Sequence, residues 1–496
     1  MKTFLGKIHL KWCTHCNLPI LDRICNICKR ETNNVKITPP GDARPAFIKD
    51  IEMINNILKD QFNIQREDIF KNKIVLISNT PGIDCMKEII LDGTVFGILK
   101  YDIKKNIWSI LPTVEGARKI VNSGGNKKII GVKKEIMPYI LEKHASVLRP
   151  GVVYTSKDIK KGDDVIVLIM DNEEESTEYN ENFEGLKDIN VLGVGRARMD
   201  YQEIINKDKG MVVKIRHAET PKKATYLGET GNLKESIGKM IQANEHVITK
   251  YEREAIGFMK NTAEKIKKPI VVAYSGGKDS LAVLLLALKA FRDKGIKFDV
   301  IFIDTGLELP ETLENVKQVE NEYNLEMIKV KSDDFWKKLE EYGPPGRDYR
   351  WCSEVCKMKP IEKLIKSRYK EGCLTFVGLR KYESVSRSKK LRIWKSKYIE
   401  GQIQSAPILN WSAMHLWLYL FKNNPPYNKL YELCFDRVGC YICPAMDLGE
   451  IELLKGYYPH LWEKWEEYLI DYGKRNNLDE EWIRGGWRWK YKNKLK

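Results

Sequence analysis

The sequence contains no window of 18 consecutive apolar residues, although 43% of its 496 residues are hydrophobic. A membrane-spanning helix needs about 20 predominantly apolar residues, so we expect no membrane span. The first residues, Met1 to Lys7, lack the long apolar core of a secretory signal peptide. Both absences favour a cytoplasmic protein.

Acidic residues are outnumbered, since 68 Asp and Glu stand against 84 Lys and Arg and the formal net charge is +16. Such an excess favours a polyanionic partner such as RNA, although a merely basic protein has the same composition. The chain is also too long for one hydrophobic core, which predicts three or more domains.

Eleven cysteines are present, and six of them form Cys-x-x-Cys pairs with two residues in between, which in an intracellular chain favours metal over disulfides. Two Cys-x-x-Cys motifs can supply four thiolates to one tetrahedral zinc: Cys13, Cys16, Cys25 and Cys28. His15 is an alternative ligand, and a redox dithiol would need only one motif. We predict a zinc-ribbon-like module over residues 1–35 that depends on metal for stability.

Two further regions precede the motif-rich half of the chain. The polar stretch Thr32 to Pro45 is predicted to be a linker. Residues 46–126 predict a small α/β domain, with a helix over Ile48 to Asp60, a strand over Lys73 to Ser78 and an alternating, strand-like pattern over Gly93 to Ile98. A polar, aperiodic stretch at 220–245 predicts a domain boundary.

Residues 127–220 predict short β-strands separated by turns. Three segments resemble the PUA domain of RNA-modifying enzymes: Val147 to Val153, Ile159 to Val167 and Val191 to Met199. The resemblance implies a β-barrel that binds RNA, tRNA above all, through backbone near Gly151 and through four cations: Arg149, Lys157, Arg196 and Arg198. A barrel used only as a spacer is the alternative. The acidic stretch Asp171 to Glu184 predicts a solvated loop.

The chain is organised around Ile270 to Ser280, where five β-favouring residues end at Ser-Gly-Gly-Lys-Asp-Ser and an apolar helix pattern follows. Glycines permit a tight turn with exposed N–H groups, and a helix N-terminus favours an anion. The motif is not Walker A, which needs Gly-x-x-x-x-Gly-Lys-[Ser/Thr]. It predicts a phosphate-binding loop with contacts from Ser275, Gly276, Gly277, Lys278, Asp279 and Ser280.

This loop resembles the pyrophosphate (PP) loop of the adenine-nucleotide α-hydrolase superfamily. Four later segments are similar to the phosphoadenosine phosphosulfate (PAPS) reductase family: Phe302 to Thr312, Gly378 to Arg387 with the signature Gly-x-Arg-x-x-Glu-Ser-x-x-Arg, Pro407 to Trp411, and Asn424 to Asn428. The resemblance spans residues 245–450. It implies an adenine nucleotide as ligand, either ATP or a sulfonucleotide such as PAPS or adenylyl sulfate (APS).

Strand and helix patterns alternate after the loop, which predicts an α/β fold with a doubly wound parallel sheet of the PP-loop type. Ligands of such sheets bind at the carboxyl ends of the strands, where Ser275, Asp304 and Gly378 fall. With the resemblance, the predicted catalytic residues are Lys278, Asp304, Arg380 and Arg387. Gly378 and Arg380 are also predicted to contact the nucleotide.

Four more cysteines predict a second metal site: Cys352, Cys356, Cys440 and Cys443. Thiolates from two distant segments suit either zinc or a 4Fe–4S cluster, and spacing alone leaves both open. The resemblance implies 4Fe–4S, because cluster-bearing members use a Cys-Cys pair and a later Cys-x-x-Cys. This chain departs from that pattern, since its first pair is Cys-x-x-x-Cys.

The nucleophile is a second departure. Sulfonucleotide reductases of this family attack the substrate with a cysteine near the C-terminus, whereas the aromatic and basic tail at 451–496 has none. We predict that this tail is helical and packs on its neighbours. Cys434 is the nearest candidate nucleophile and Cys373 the next, although each is more often structural.

Two functions lead. The first is reduction of APS or PAPS to sulfite, with electrons from an external thiol or a ferredoxin-type donor. The second is ATP-dependent modification of RNA, delivering sulfur to tRNA, which the PUA-like region and the positive charge support. A non-catalytic RNA-binding scaffold is disfavoured by the intact loop and arginine signature.

Overall fold

The chain divides into two compact units in a computed structural model, which describes residues 7–64, 69–170, 188–332 and 335–490. The C-terminal unit comprises Met1–His9, Pro39–Phe47 and Asn244–Lys496. The N-terminal unit comprises Leu10–Thr38 and Ile48–Ala243. The predicted acidic loop at 171–184 lies outside the described residues.

A six-stranded sheet forms the centre of the C-terminal unit. Its spatial order is Met327–Lys331, Asp299–Asp304, Ile270–Tyr274, Cys373–Phe376, Gln402–Ser405 and Ile393–Lys395. The first five strands are parallel, and the edge strand Ile393–Lys395 is antiparallel. The order reverses direction beside Ile270–Tyr274, which opens a crevice at the carboxyl ends. The predicted parallel α/β fold is confirmed.

Helices surround this sheet, and the first of them, Lys278–Phe291, is buried almost throughout. Its apolar residues face all directions, as expected of a helix inside a core. The other helices with eight or more residues that lie wholly in this unit are Pro310–Tyr323, Phe335–Tyr342, Lys359–Arg368, Ala413–Asn423, Leu448–Tyr457 and Pro459–Arg475. Short helical turns cover Trp351–Ser353, Glu354–Met358, Lys381–Glu383, Val385–Ser388, Lys429–Leu433, Glu480–Arg484 and Gly486–Arg488.

The described part of the tail packs as helices. Trp465 is fully buried, and its ring meets those of Trp487 and Tyr468 at centroid distances of 5.2 and 5.5 Å. This aromatic packing explains the tryptophan content of the tail without a nucleic acid.

The N-terminal unit begins with a small sheet of Lys11–Cys13, Leu18–Ile20 and Asn33–Asn34. Helix Ile48–Phe62 follows, then antiparallel strands Val75–Asn79, Met86–Leu91, Thr94–Asp102 and Ile107–Pro112, and helix Val114–Asn122. The small α/β prediction missed the second and fourth of these strands.

A second six-stranded sheet covers the PUA-like region. Its order is Val147–Leu148, Met211–Ala218, Val191–Ala197, Asp164–Met170, Ile129–Lys133 and Val152–Thr155, with helices Met137–Lys143 and Tyr201–Asn206. Only Arg149–Gly151 separates the two edge strands along the chain. The sheet therefore curls until its edges approach each other, as the predicted barrel requires.

One prediction about a connecting segment was wrong. The stretch Thr32 to Pro45 is not a plain linker, because Val35, Ile37, Ala43 and Arg44 are buried. The two units divide between Ala243 and Asn244, inside the polar stretch at 220–245, and helix Leu233–Ile266 begins in that stretch. Propensity alone missed this helix start, since its first two turns are mostly polar. Within the described ranges, no helix has the length and apolarity to cross a bilayer.

Candidate functional site

Four cysteines of the N-terminal unit converge on one point. The Sγ atoms of Cys13, Cys16, Cys25 and Cys28 all lie within 4.8 Å of one another. Cys13 to Cys28 is 3.5 Å and Cys16 to Cys25 is 3.9 Å. A tetrahedral zinc with Zn–S bonds of about 2.3 Å needs sulfurs about 3.8 Å apart, so the four thiols fit zinc without rearrangement.

The zinc knuckle is tied to a buried ionic cluster. The amide of Asn17 donates to Asp92 Oδ1 at 2.9 Å, and Trp12 Nε1 donates to Asn17 Oδ1 at 2.9 Å. Asp92 also accepts from Lys73 and Lys119, at 2.9 and 2.7 Å. A metal held by the four thiols would therefore be coupled to the packing of the small α/β domain.

In the C-terminal unit, a crevice of about 230 Å³ opens where the sheet order reverses. Its walls are mostly apolar, and its polar groups come from the loop and from two strands of the sheet: Ser275, Ser280, Thr375 and Gln402. Gly378 also lines the crevice, as predicted. An apolar cleft with a few convergent polar groups suits a nucleoside.

The loop is shaped by glycines and by its own hydrogen bonds. Gly276 has φ of +72°, a conformation that other residues adopt with strain. Ser280 Oγ accepts from Ser275 N at 3.1 Å and donates to Gly277 O at 2.8 Å. A Cβ on Gly378 would lie 2.6 Å from the Asp279 carbonyl carbon, so only glycine permits this close approach. These contacts hold the helix N-terminus at the crevice.

Three buried charges lie beside the loop. Asp279 accepts from Arg380 Nε at 2.5 Å and pairs with Lys278 Nζ at 3.1 Å. Burial alone would raise the pKa of Asp279, but Lys278 and Arg380 outweigh it and hold the pKa far below its usual range. The same carboxylate keeps the pKa of Lys278 raised despite burial. All three groups are therefore charged, and the two cations are already paired.

The remaining predicted catalytic residues, Asp304, Arg387 and Cys434, are not among the residues that line the crevice. Arg387 is one-third exposed and pairs with Glu383, so it is more accessible to a ligand than Arg380. Asp304 ends its strand and accepts from Gly306 N at 3.0 Å. Cys434 is only 3% exposed, and Cys373 lies in the sheet core. Burial raises the pKa of Cys373, which lowers its thiolate content.

The second set of cysteines lines one cavity: Cys352, Cys356, Cys440 and Cys443. Cys352 and Cys356 are four residues apart in a helical segment with a π turn at Glu354–Met358, and this spacing places both on one face. An adjacent Cys-Cys pair is therefore unnecessary. Burial raises the pKa of the Cys440 thiol, and the electrostatic interaction with Cys440 raises the pKa of Lys357, which also lines the cavity.

The spacing of these four sulfurs differs from that of the zinc knuckle. Over the described residues, only the knuckle brings three or more Cys, His, Asp or Glu ligand atoms within 4.8 Å of one another. Single zinc coordination requires that closeness, whereas an iron–sulfur cluster attaches each thiolate to a different iron. The wider spacing around one cavity fits a cluster better than a single ion.

The PUA-like region places the predicted RNA contacts unevenly. Lys157, Arg196 and Arg198 are exposed. Arg149 instead donates to the backbone oxygens of Ile204 and Val152, and Gly151 is buried. Arg149 therefore braces the fold, and its predicted phosphate contact, like the predicted RNA contact near Gly151, stays a prediction.

Sequence reasoning missed four residues that support the loop. Tyr431 Oη accepts from Lys278 N at 2.9 Å, and the Asp436 carbonyl accepts from Lys278 Nζ at 3.2 Å. Asp42 pairs with Arg380, and Arg44 pairs with Asp436. Tyr431 and Asp436 lie shortly after Asn428, the last residue of a family-like segment, and this position in the sequence could have identified them. Nothing local marks Asp42 or Arg44.

Two family models match the chain. The phosphoadenosine phosphosulfate reductase domain matches residues 269–446, and the PUA domain matches residues 128–218. The first match contains the loop, the crevice and all four cysteines of the second cavity.

Relatives and solved structures are similar over different lengths. The uncharacterized protein MJ0066 of Methanocaldococcus jannaschii is 46% identical over 99% of this chain and 98% of its own. Adenosine 5'-phosphosulfate reductase of Oceanobacillus iheyensis is 29% identical over 36% of this chain and 71% of its own. A crystal structure of PAPS reductase from Candida auris covers 34% of this chain and 80% of its own, with 22% identity and a TM-score of 0.29.

Proposed function

The chain belongs to the same family as MJ0066 and carries a PAPS reductase domain together with a PUA domain, and from this we propose that it reduces adenylyl sulfate, as APS or PAPS, to sulfite. Relatives named as adenosine 5'-phosphosulfate reductases support the substrate class.

One observation carries the proposal: the crevice and the four-cysteine cavity adjoin along one strand end. Ile303 lines the crevice, and Thr305, two residues later, lines the cavity. Thr305 Oγ1 also contacts Cys440 Sγ at 3.5 Å. A nucleotide in the crevice would therefore present its sulfonate toward a centre that the cysteines hold.

The proposed roles follow from position and charge. Main-chain N–H groups at the helix N-terminus and Ser275 bind the nucleotide phosphate, and Arg387 neutralises the sulfonate. Cys352, Cys356, Cys440 and Cys443 would hold a 4Fe–4S cluster, which supplies electron-transfer and electrostatic chemistry when bound. Lys357 and Thr305 orient and polarise the cysteine side chains of that cavity.

The electrons come from outside the chain. An external dithiol or ferredoxin-type protein donates two electrons, the sulfur is reduced to sulfite, and its bond to the bridging oxygen breaks. The nucleotide phosphate leaves with that oxygen. Cys434 is a poor nucleophile here, because a thiol 3% exposed cannot reach a substrate without local opening.

A second candidate is an ATP-dependent enzyme that adenylates RNA and delivers sulfur to tRNA. The PUA domain match favours it, as does the absence of any cysteine after Cys443. In this reaction an RNA oxygen attacks the α-phosphorus of ATP, and pyrophosphate leaves. The same helix N-terminus would stabilise the developing charge.

The deciding experiment supplies cluster-loaded protein and a reduced dithiol with APS or PAPS, and in parallel supplies ATP with tRNA. Sulfite release in the first reaction supports the reductase. Pyrophosphate release that requires tRNA, without sulfite in the parallel reaction, replaces it by the second candidate. Lys278→Ala should abolish either reaction, because it removes the cation paired with Asp279.

A further inference from the structure

The segment 39–47, which we name the strap, belongs to the C-terminal unit although more than 190 residues separate it from the main part of that unit, which begins at Asn244. It lies outside the reductase domain match at 269–446. Phe47 anchors it, with its ring 5.2 Å from Trp417 and 6.2 Å from Tyr427. The strap thus packs on the same unit as the nucleotide loop.

Asp42 of the strap holds the arginine of the family-like signature. Both of its carboxylate oxygens accept from Arg380 Nη1, at 2.8 and 3.0 Å, and Oδ1 also accepts from Ala413 N at 2.5 Å. Arg380 is 2% exposed and meets Asp279 on its other side. One guanidinium is therefore clamped between a carboxylate of the strap and a carboxylate of the loop helix.

Arg44 supports the other cation of the loop through one intermediate residue. Its Nε donates to Asp436 Oδ1 at 2.8 Å; the Arg44 side chain is buried, and that of Asp436 is 13% exposed. The Asp436 carbonyl in turn accepts from Lys278 Nζ. The strap therefore reaches both cations that flank Asp279.

We propose that Asp42 and Arg44 are positioning residues for the nucleotide crevice, acting through Arg380 and Asp436. This inference rests on the proposed function only in taking the crevice as the nucleotide site. Arg380 follows Gly378, which lies against the start of the loop helix and lines the crevice. Restraining the Arg380 side chain therefore restrains the backbone at Gly378, which forms part of the crevice wall. Arg380, paired on both sides, shapes the site, and Arg387 remains to contact the ligand.

The alternative is that the strap only stabilises the fold. A double-mutant cycle separates the two, because residues that act through one another have non-additive effects. Affinity for AMP, a fragment common to both candidate substrates, is measured by titration calorimetry. Asp42→Ala should weaken AMP binding about tenfold, Arg380→Ala by a similar factor, and the double variant no further. Asp42→Glu should restore most of the loss, and the exposed Asp60→Ala should bind as wild type.

Hydrogen exchange gives a readout that needs no nucleotide. Asp42→Ala should speed exchange at the amides of Gly378 to Arg380 and of Lys278 to Ser280, while strands Thr94–Asp102 and Ile107–Pro112 keep their protection. The inference would be overturned if the losses of AMP affinity in the two single variants add up in the double variant, or if exchange at these amides is unchanged. If wild type fails to bind AMP, the proposed function fails and exchange alone decides the role of the strap.

Discussion

Asp279 and Arg380, 101 residues apart in sequence, form a buried ion pair of 2.5 Å that joins the loop helix to the segment after strand Cys373–Phe376. Removing one partner of such a pair costs about 3–5 kcal/mol, because the other charge stays buried without compensation. The pair therefore explains why the loop motif and the arginine signature occur together: each needs the other to be stable.

The zinc knuckle predicts a metal-dependent fold. Cys28→Ser should lose the single zinc of this module and lower the melting temperature, because a small cysteine module draws its stability from metal. His15→Ala is the matched control, since His15 is exposed and lies outside the four-sulfur group. Elemental analysis with thermal melting measures both. Zinc lost in His15→Ala and kept in Cys28→Ser would reassign the ligands.

The second cysteine cavity predicts an oxygen-sensitive chromophore. Anaerobically purified protein should contain about four iron atoms per chain and absorb visible light. Cys440→Ser should abolish this absorption without changing the zinc content of the knuckle. Cys373→Ser is the control, because Cys373 contacts Thr375 inside the sheet. Zinc at both sites, with no iron after anaerobic reconstitution, would exclude the cluster.

The crevice predicts that Gly378 cannot carry a side chain. Gly378→Ala places a Cβ 2.6 Å from backbone atoms of Asp279 and Ser280 and should weaken AMP binding more than tenfold. A Cβ at Gly439 meets no atom within 4 Å, so Gly439→Ala should bind AMP as wild type. Fluorescence or calorimetric titration measures both. Equal affinities in the two variants would mean that the nucleotide binds elsewhere.

The PUA domain predicts RNA binding that depends on exposed cations. Arg196→Glu and Arg198→Glu should each weaken tRNA binding and reduce the slope of log K against log salt by about one, because each removes a phosphate contact. The comparison is Arg149→Lys, which alters a backbone brace and should change thermal stability more than the salt slope. Deleting the whole domain is a poorer test, because the deletion would also remove hydrogen bonds that link the domain to its neighbour. Arg216 donates to the Pro112 carbonyl, and Arg118 donates to Glu219.

Buried His415 predicts a loss of stability in acid. Burial lowers its pKa to about 3 from the usual 6.5, so between these values the unfolded chain binds a proton that the folded chain does not. Stability therefore rises with pH across this window, by about 1.4 kcal/mol per unit. His415→Gln should reduce the change in melting temperature between pH 6.5 and 4, whereas replacing the exposed His460 by Gln should leave that change as in wild type. If the melting temperature of His415→Gln depends on pH as steeply as that of wild type, His415 is not the group responsible.

The sequence by itself determined the elements whose signal is local. Strand Ile270–Tyr274, its glycine turn and the apolar helix after it are written in consecutive residues, and the alternation of strands and helices that follows allows few topologies besides a parallel sheet. The Cys-x-x-Cys spacing likewise identifies the knuckle, because the ligands of each motif are held by one turn of backbone.

Only the tertiary structure decided what the cations of the site contact. Sequence patterns place Lys278 and Arg380 near a phosphate, yet the fold pairs them with Asp279, Asp436 and Asp42. The strap is the clearest case: a polar, proline-containing stretch predicts a linker, and its burial follows from partners more than 300 residues away. Side-chain pairing in a folded core depends on which distant segments meet, and neither composition nor periodicity records that.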